Sequence, residues 1–251
     1  MLALLGALKE EIKGLRRSMV LEETITQRGY HMYRGKYGNK AILLVQTGCG
    51  RERVERVTEF ILEHYPITAL ISFGFGGALT EGLRVGDIIL CSTLYCGNGQ
   101  TNGEAELGNP YHSDASLVSL SLPALEREVV RLRPGTSVTV PQLVSRPEAK
   151  RALGQAFHAD VVDMESYWIA RITLARKVPF LAIRALSDAV QDGIPPFDQI
   201  LDSDGRWRWQ RAALYFLPRP QHLLKLFTLY QSTRQARKSL TALVDYLVVR
   251  L

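Results

Sequence analysis

The chain has 251 residues, 46% of them hydrophobic and 22% charged, which is enough to bury a large core and unlike a disordered or fibrous protein. Three cysteines, Cys49, Cys91 and Cys96, form no CxxC pair and no zinc-spaced cluster with histidine, which argues against a disulfide framework or a metal site. The net charge of +6 belongs to residues 201–251, where nine Lys and Arg face three acids; residues 1–200 carry 22 of each sign, so the core lacks the electrostatic footprint of a nucleic-acid binder.

In chain order, "LALLGALKEEIKGL" reads as a strand and then a helix. The opening apolar run is too short for a signal peptide or a membrane span, and the expectation is a cytoplasmic protein. "AILLVQTGCGRERVERVTEFILEHYP" reads as strand, glycine turn and amphipathic helix, with Val54, Val57, Ile61 and Leu62 on one face. Further strands are expected in "ITALISFGFGGAL", "GDIILCSTLY", "SVTVPQLV", "DVVDM" and "PFLAIRALS". Strands this apolar are covered on both faces, so the fold class is α/β, with a mixed, twisted sheet between helices.

Residues 97–116, rich in Gly and Asn, read as a surface loop. In the C-terminal stretch Leu223, Leu226, Phe227, Tyr230, Leu240, Leu243, Val244 and Leu247 recur at helical spacing, as one helix or two. Two readings stand side by side: a helix packed on the sheet, or a basic amphipathic face resting on an anionic membrane.

The residues that bear chemistry sit at the ends of these elements. Gly74, Gly76 and Gly77 follow a buried strand, where glycine lets a backbone turn or approach a ligand, and "TGCG" at 47–50 opens a helix whose free amides suit an anion. Asp188 ends the strand "FLAIRALSD", at the edge where α/β sheets bind ligands, and either protonates a leaving group or caps a turn. Glu165 and Glu11 stand near helix starts, where each either complements the helix dipole or meets a ligand. Physical reading leaves three acids and no substrate.

Four segments resemble, in order, the purine nucleoside phosphorylase and methylthioadenosine/adenosylhomocysteine nucleosidase superfamily: "GALKEEIKGL", "SFGFGGALTEGLRVGDIIL", "VVDMES" and "VPFLAIRALSD". The tail, with "DGR" before "RPQHLLKL", is similar to the hopanoid-associated phosphorylase branch. The resemblance implies a three-layer nucleoside-phosphorylase-like fold over 1–251 as a single domain, with 201–251 as its basic helical extension. It implies an enzyme that breaks the N-glycosidic bond of an adenine nucleoside with a large 5′ substituent such as adenosylhopane, as a homo-oligomer without cofactor or metal.

Carried over residue by residue, Asp188 would protonate the purine, Glu165 would hold the ribose hydroxyls, Met164 would pack on the sugar, and Gly74, Phe75 and Gly76 would line the site. Ser187 and Arg184 would support Asp188. Glu11 matches the glutamate that activates water, with Glu10 as an off-by-one alternative. The arginine and serine that help bind phosphate in phosphorolytic relatives are replaced by Ser72 and Phe75, so hydrolysis is expected over phosphorolysis with phosphate as co-substrate. Arg34, Arg51 and Arg53 are the alternative cations. The base loop reads "LVSRPEAKRAL" with no aromatic before Phe157, leaving Phe73, Phe75 and Tyr167 as stacking or core residues. A rival from another class is an inactive nucleoside-binding module held at the inner face of the membrane by the tail.

Overall fold

The computed structural model describes residues 1–27, 29–97, 109–126, 130–194 and 221–251, and only the backbone at 125, 126 and 221–227. The basic, aromatic segment at 206–216 and most of the loop expected over 97–116 lie outside the described residues.

The sheet is centred on β1 (Leu2–Gly6), which runs parallel to β4 (Lys40–Gln46) on one side and β5 (Ala69–Ala78) on the other. β3 (Tyr30–Tyr37) and β2 (Val20–Gln27) extend it antiparallel beyond β4. On the other side β5 pairs with both β10 (Phe180–Asp188) and β9 (Val161–Asp163). β10 joins β6 (Ile88–Cys96), β6 joins β8 (Leu132–Thr139), and β8 joins β9. The mixed, twisted sheet closes on itself through five strands, and a two-residue strand, β7 (Tyr111–His112), edges β6.

Alternation along the central strands produces the layers. Leu2 and Leu4 face Ile12 and Leu15 of α1 (Lys9–Ser18) and Leu240, Leu243 and Val244 of the C-terminal helix α7 (Gln221–Val248). Ala3 and Leu5 face the opposite layer, with Val54, Val57 and Ile61 of α2 (Arg51–His64) and Ile169 and Ala170 of α6 (Ser166–Ala175). Short helices α3 (Ala115–Ser121) and α4 (Pro123–Glu126) precede β8, and α5 (Pro147–Phe157) precedes β9.

Two elements depart from the sequence expectation. The β2–β3 hairpin was not foreseen, because β2 is exposed almost throughout and carries no apolar alternation. The strand expected over 137–144 lies over 132–139, and 140–144 turns away to line a cavity. The C-terminal periodicity resolves into one helix whose stripe from Ala236 to Val248 is buried in the core, which leaves that stripe unavailable to a membrane; Tyr230, nearer its start, is 67% exposed. Among the described residues no helix is long and apolar enough to cross a membrane.

Candidate active site

Parallel pairing of β1, β4, β5 and β10 brings strand ends and helix starts to one edge of the sheet, and the three acids gather there. Glu11 lies in the first turn of α1, where its Oε2 accepts from the Leu8 amide at 2.8 Å, as a first-turn carboxylate does for an orphan helix donor. Its Oε1 accepts from the Phe75 amide at 2.8 Å, so the side chain, 4% exposed, ties α1 to β5. Gly74 permits this approach: a Cβ there would stand 2.7 Å from Oε1. Burial raises the Glu11 carboxyl above its ordinary value, opposed by these amides.

Glu165 occupies the N-cap of α6, where its Oε1 accepts from the Gly50 amide at 3.3 Å. Gly48 and Gly50 hold φ of 73° and 96°, conformations that suit glycine, which is why "TGCG" can fold this amide towards the site. The Glu165 carboxyl is pushed up to about 8, first by burial and then by the neighbouring Asp163 carboxylate, with Arg184 opposing.

Asp163 and Arg184 form the hub between them. Arg184 Nε donates to Asp163 Oδ2 at 2.8 Å, and its other nitrogens donate to Ser72 Oγ at 3.0 Å, Ser72 O at 3.3 Å and Ile183 O at 2.8 Å. Asp163 Oδ1 accepts from Thr139 Oγ1 at 2.6 Å and from the amides of Glu165 and Ser166, each at 3.2 Å. Arg184, expected beside Asp188, instead pairs with Asp163, because its side chain leaves the strand on the Ser72 side.

The cation at Asp188 is Lys150 of α5, a residue the sequence reading passed over. Its ammonium donates to Asp188 Oδ2, to Ala189 O at 2.9 Å and to Asp192 O at 2.8 Å. Ser187 Oγ donates to Asp188 Oδ1 at 2.7 Å. Burial raises the Asp188 carboxyl and Lys150 opposes that rise. A signal was present: Lys150 shares the i, i+3, i+4, i+7 stripe of α5 with Leu153, Gly154 and Phe157, and a lysine in a buried stripe needs partners.

Two adjoining cavities share Glu11, Glu165 and Phe75. The small one is about 10 Å³ and is lined by polar groups of Glu11, Thr47, Ser72, Glu165 and Arg184. The large one is about 1020 Å³; Asp188, Ser187, Met164 and Gly76 line it beside the apolar Val140, Leu143, Val144 and Ile194, with Leu229, Tyr230 and Thr233 of α7 also on its wall.

The other sequence candidates divide between the cavity walls and the outside of the site. Glu10 is exposed on the wall of the large cavity and pairs with Lys13 and Arg237. Arg34 pairs with Glu23 at 2.9 Å, Arg51 with Glu55 at 2.9 Å while lying over Trp168, and Arg53 donates to Thr47 O and Gly29 O at 3.4 Å each. None of these arginines lines either cavity. Tyr167 packs in the core against Tyr111 and Trp168, Phe73 borders only the small cavity, and Phe75 lines both.

The family model described as the phosphorylase superfamily matches residues 1–214. A 5′-methylthioadenosine/S-adenosylhomocysteine nucleosidase of Listeria monocytogenes is 30% identical over 217 residues, covering 80% of this chain and 91% of its own length. The crystal structure of the nucleosidase of that name from Neisseria meningitidis, in complex with methylthio-immucillin-A, superposes with a TM-score of 0.79 at 21% identity, covering 100% of this chain and 99% of that one. Futalosine hydrolase of Helicobacter pylori superposes with a TM-score of 0.73 at 21% identity, covering 97% of each chain. The structural likenesses carry the mixed α/β fold, and the family match carries membership: the chain belongs to the phosphorylase superfamily.

Proposed function

We propose that the protein hydrolyses the N-glycosidic bond of an adenine nucleoside with a large apolar 5′ substituent. The observation that carries the reading is the small polar cavity against Glu11. At about 10 Å³ it matches the space one water needs, and it offers that water several polar partners. A phosphate is larger and calls for cations, whereas Arg184 at this cavity is already paired with Asp163.

In this reading, water attacks the anomeric carbon and gives its proton to the Glu11 carboxylate, whose burial raises its proton affinity. The carbon–nitrogen bond breaks with its electron pair going to the purine, and the Asp188 carboxyl protonates the ring, a contribution of about 10²- to 10⁴-fold for a general acid. Glu165 accepts hydrogen bonds from the ribose hydroxyls and, once ionised, stabilises the positive charge on the ribosyl group. Met164, Gly76 and Phe75 pack about the nucleoside. No cofactor or metal takes part.

The large cavity supports a bulky 5′ group, because about 1020 Å³ with a largely apolar wall stands at the upper end of ordinary ligand sites, about 300–1,000 Å³. Adenosylhopane is the substrate we name. Residues 1–251 act as one unit, which the packing of α7 on β10, α1 and β5 supports. The protein works in the cytoplasm as a homo-oligomer, with its basic C-terminal tail as a peripheral membrane contact; light scattering and vesicle flotation test these two points.

The test is adenine release from methylthioadenosine, adenosine and adenosylhopane in detergent, resolved by chromatography. The reading expects adenine with a free ribosyl product, and the highest kcat/KM for the bulkiest 5′ group. Preference for adenosine would overturn the 5′ assignment, and binding without release would favour a nucleoside-binding module.

A further inference from the structure

Lys150 is a charged side chain with 0% exposure, and the water chemistry at Glu11 makes no use of it. Its ammonium has three donors, and three acceptors surround it: Asp188 Oδ2, Ala189 O and Asp192 O. Two are carbonyls of the turn after β10, and that turn is itself closed by the Ala189 amide donating to Asp192 Oδ2 at 2.9 Å. A lysine saturated in this way is a fixed strut between α5 and the turn, and the carboxyl oxygen it grips cannot rotate freely.

The other oxygen has a different environment. Among the described residues Oδ1 meets only the Ser187 hydroxyl, at 2.7 Å, and that hydroxyl also lies 3.3 Å from Gly76 O. A cation on Oδ2 draws negative charge to that side, so a proton arriving at the carboxyl settles on Oδ1. Ser187 then turns its hydrogen from Oδ1 to Gly76 O, and neither group is left unpaired.

We propose that Lys150 is the positioning residue of the Asp188 carboxyl: by holding Oδ2 against the 189–192 turn it assigns the transferable proton to Oδ1, with Ser187 as the hydroxyl that accommodates it. The role in turnover rests on the nucleosidase reading; the hold on the carboxyl does not. Among the described residues the charged groups about this carboxyl are the Lys150 ammonium on α5 and the Asp192 carboxylate on the turn, while Asp163 and Glu165 line the same large cavity. Burial raises the Asp188 carboxyl, Lys150 lowers it and Asp192 raises it.

The sign of the test follows. A group that must be protonated to act works below its pKa, so the alkaline limb of kcat reports Asp188. Removing the cation raises that pKa and moves the limb to higher pH.

The experiment compares the wild-type chain with Lys150→Met, Lys150→Gln and Lys150→Arg. Carbon-13 chemical shift of the Asp188 carboxyl is followed against pH without nucleoside, and kcat and KM for methylthioadenosine against pH. Lys150→Gln retains two donors for the turn carbonyls and serves where the methionine variant does not fold. The proposal expects the carboxyl titration and the alkaline limb to move up together in the Met or Gln variant, kcat to fall by about 10²-fold from misplacement of the acid with KM little changed, and Arg to keep the limb near its wild-type position. A limb and titration that stay in place, whatever happens to kcat, overturn the proposal, because a merely structural lysine lowers activity without moving them. If the wild-type protein releases no adenine, the nucleosidase reading falls, and the carboxyl titration alone still decides whether Lys150 holds Asp188.

Discussion

Arg184 and Asp163 form an ion pair of 2.8 Å whose side chains are 3% and 0% exposed, and this pair, one shell behind the candidate catalytic acids, fixes the distance between β10 and the start of α6. Removing one member leaves the other charge buried without a partner, a loss of about 3–5 kcal/mol. Asp163→Ala is therefore expected to lower the unfolding free energy by that amount, measured by urea denaturation at neutral pH. It also removes the acceptor of the Glu165 and Ser166 amides and loosens the N-cap of α6.

Glu165 links stability to pH. Its carboxyl moves from an ordinary 4.5 to about 8 in the folded chain. The folded state therefore holds a proton that the unfolded state releases, and this contribution is present in full below 4.5 and is lost as pH rises to about 8. Glu165→Gln cannot titrate, so its stability relative to wild type is expected to increase across that window. Urea midpoints near pH 4.5 and near pH 8 check this, and parallel pH profiles would contradict it.

Gly74→Ala places a methyl 2.7 Å from Glu11 Oε1, an approach real side chains do not tolerate. Glu11 has to shift away from the Phe75 amide and from the small cavity. The expected result is a loss of about 10²-fold in kcat from displacement of the base, with circular dichroism and the oligomeric state preserved.

Asp188→Asn keeps the shape of the side chain and removes its transferable proton. Turnover of methylthioadenosine is expected to fall by at least about 10²-fold with the fold intact. Near wild-type turnover would show that another group protonates the base.

The layers were legible in the sequence where burial is two-sided, because "LALLG", "AILLV" and "FLAI" are apolar at every step and alternate between two helical layers. The β2–β3 hairpin was illegible because β2 is exposed almost throughout and carries no such signature. Closure of the sheet depends on β10 pairing with both β5 and β6, strands far apart in sequence, which no local pattern encodes. Glu11, Glu165 and Asp188 stood out as acids at element ends. Their cations were harder to assign: Arg184, four residues from Asp188, reaches back to Asp163, and Lys150, from another helix, meets Asp188.

The central claim is that water bound against Glu11 is the nucleophile. The direct measurement is the rate of adenine release by the wild-type protein and by Glu11→Gln as phosphate is raised from zero. The account predicts a wild-type rate independent of phosphate, a free ribosyl product throughout, and a loss of about 10²- to 10⁴-fold in the variant. Release that requires phosphate and yields a ribosyl phosphate would contradict it.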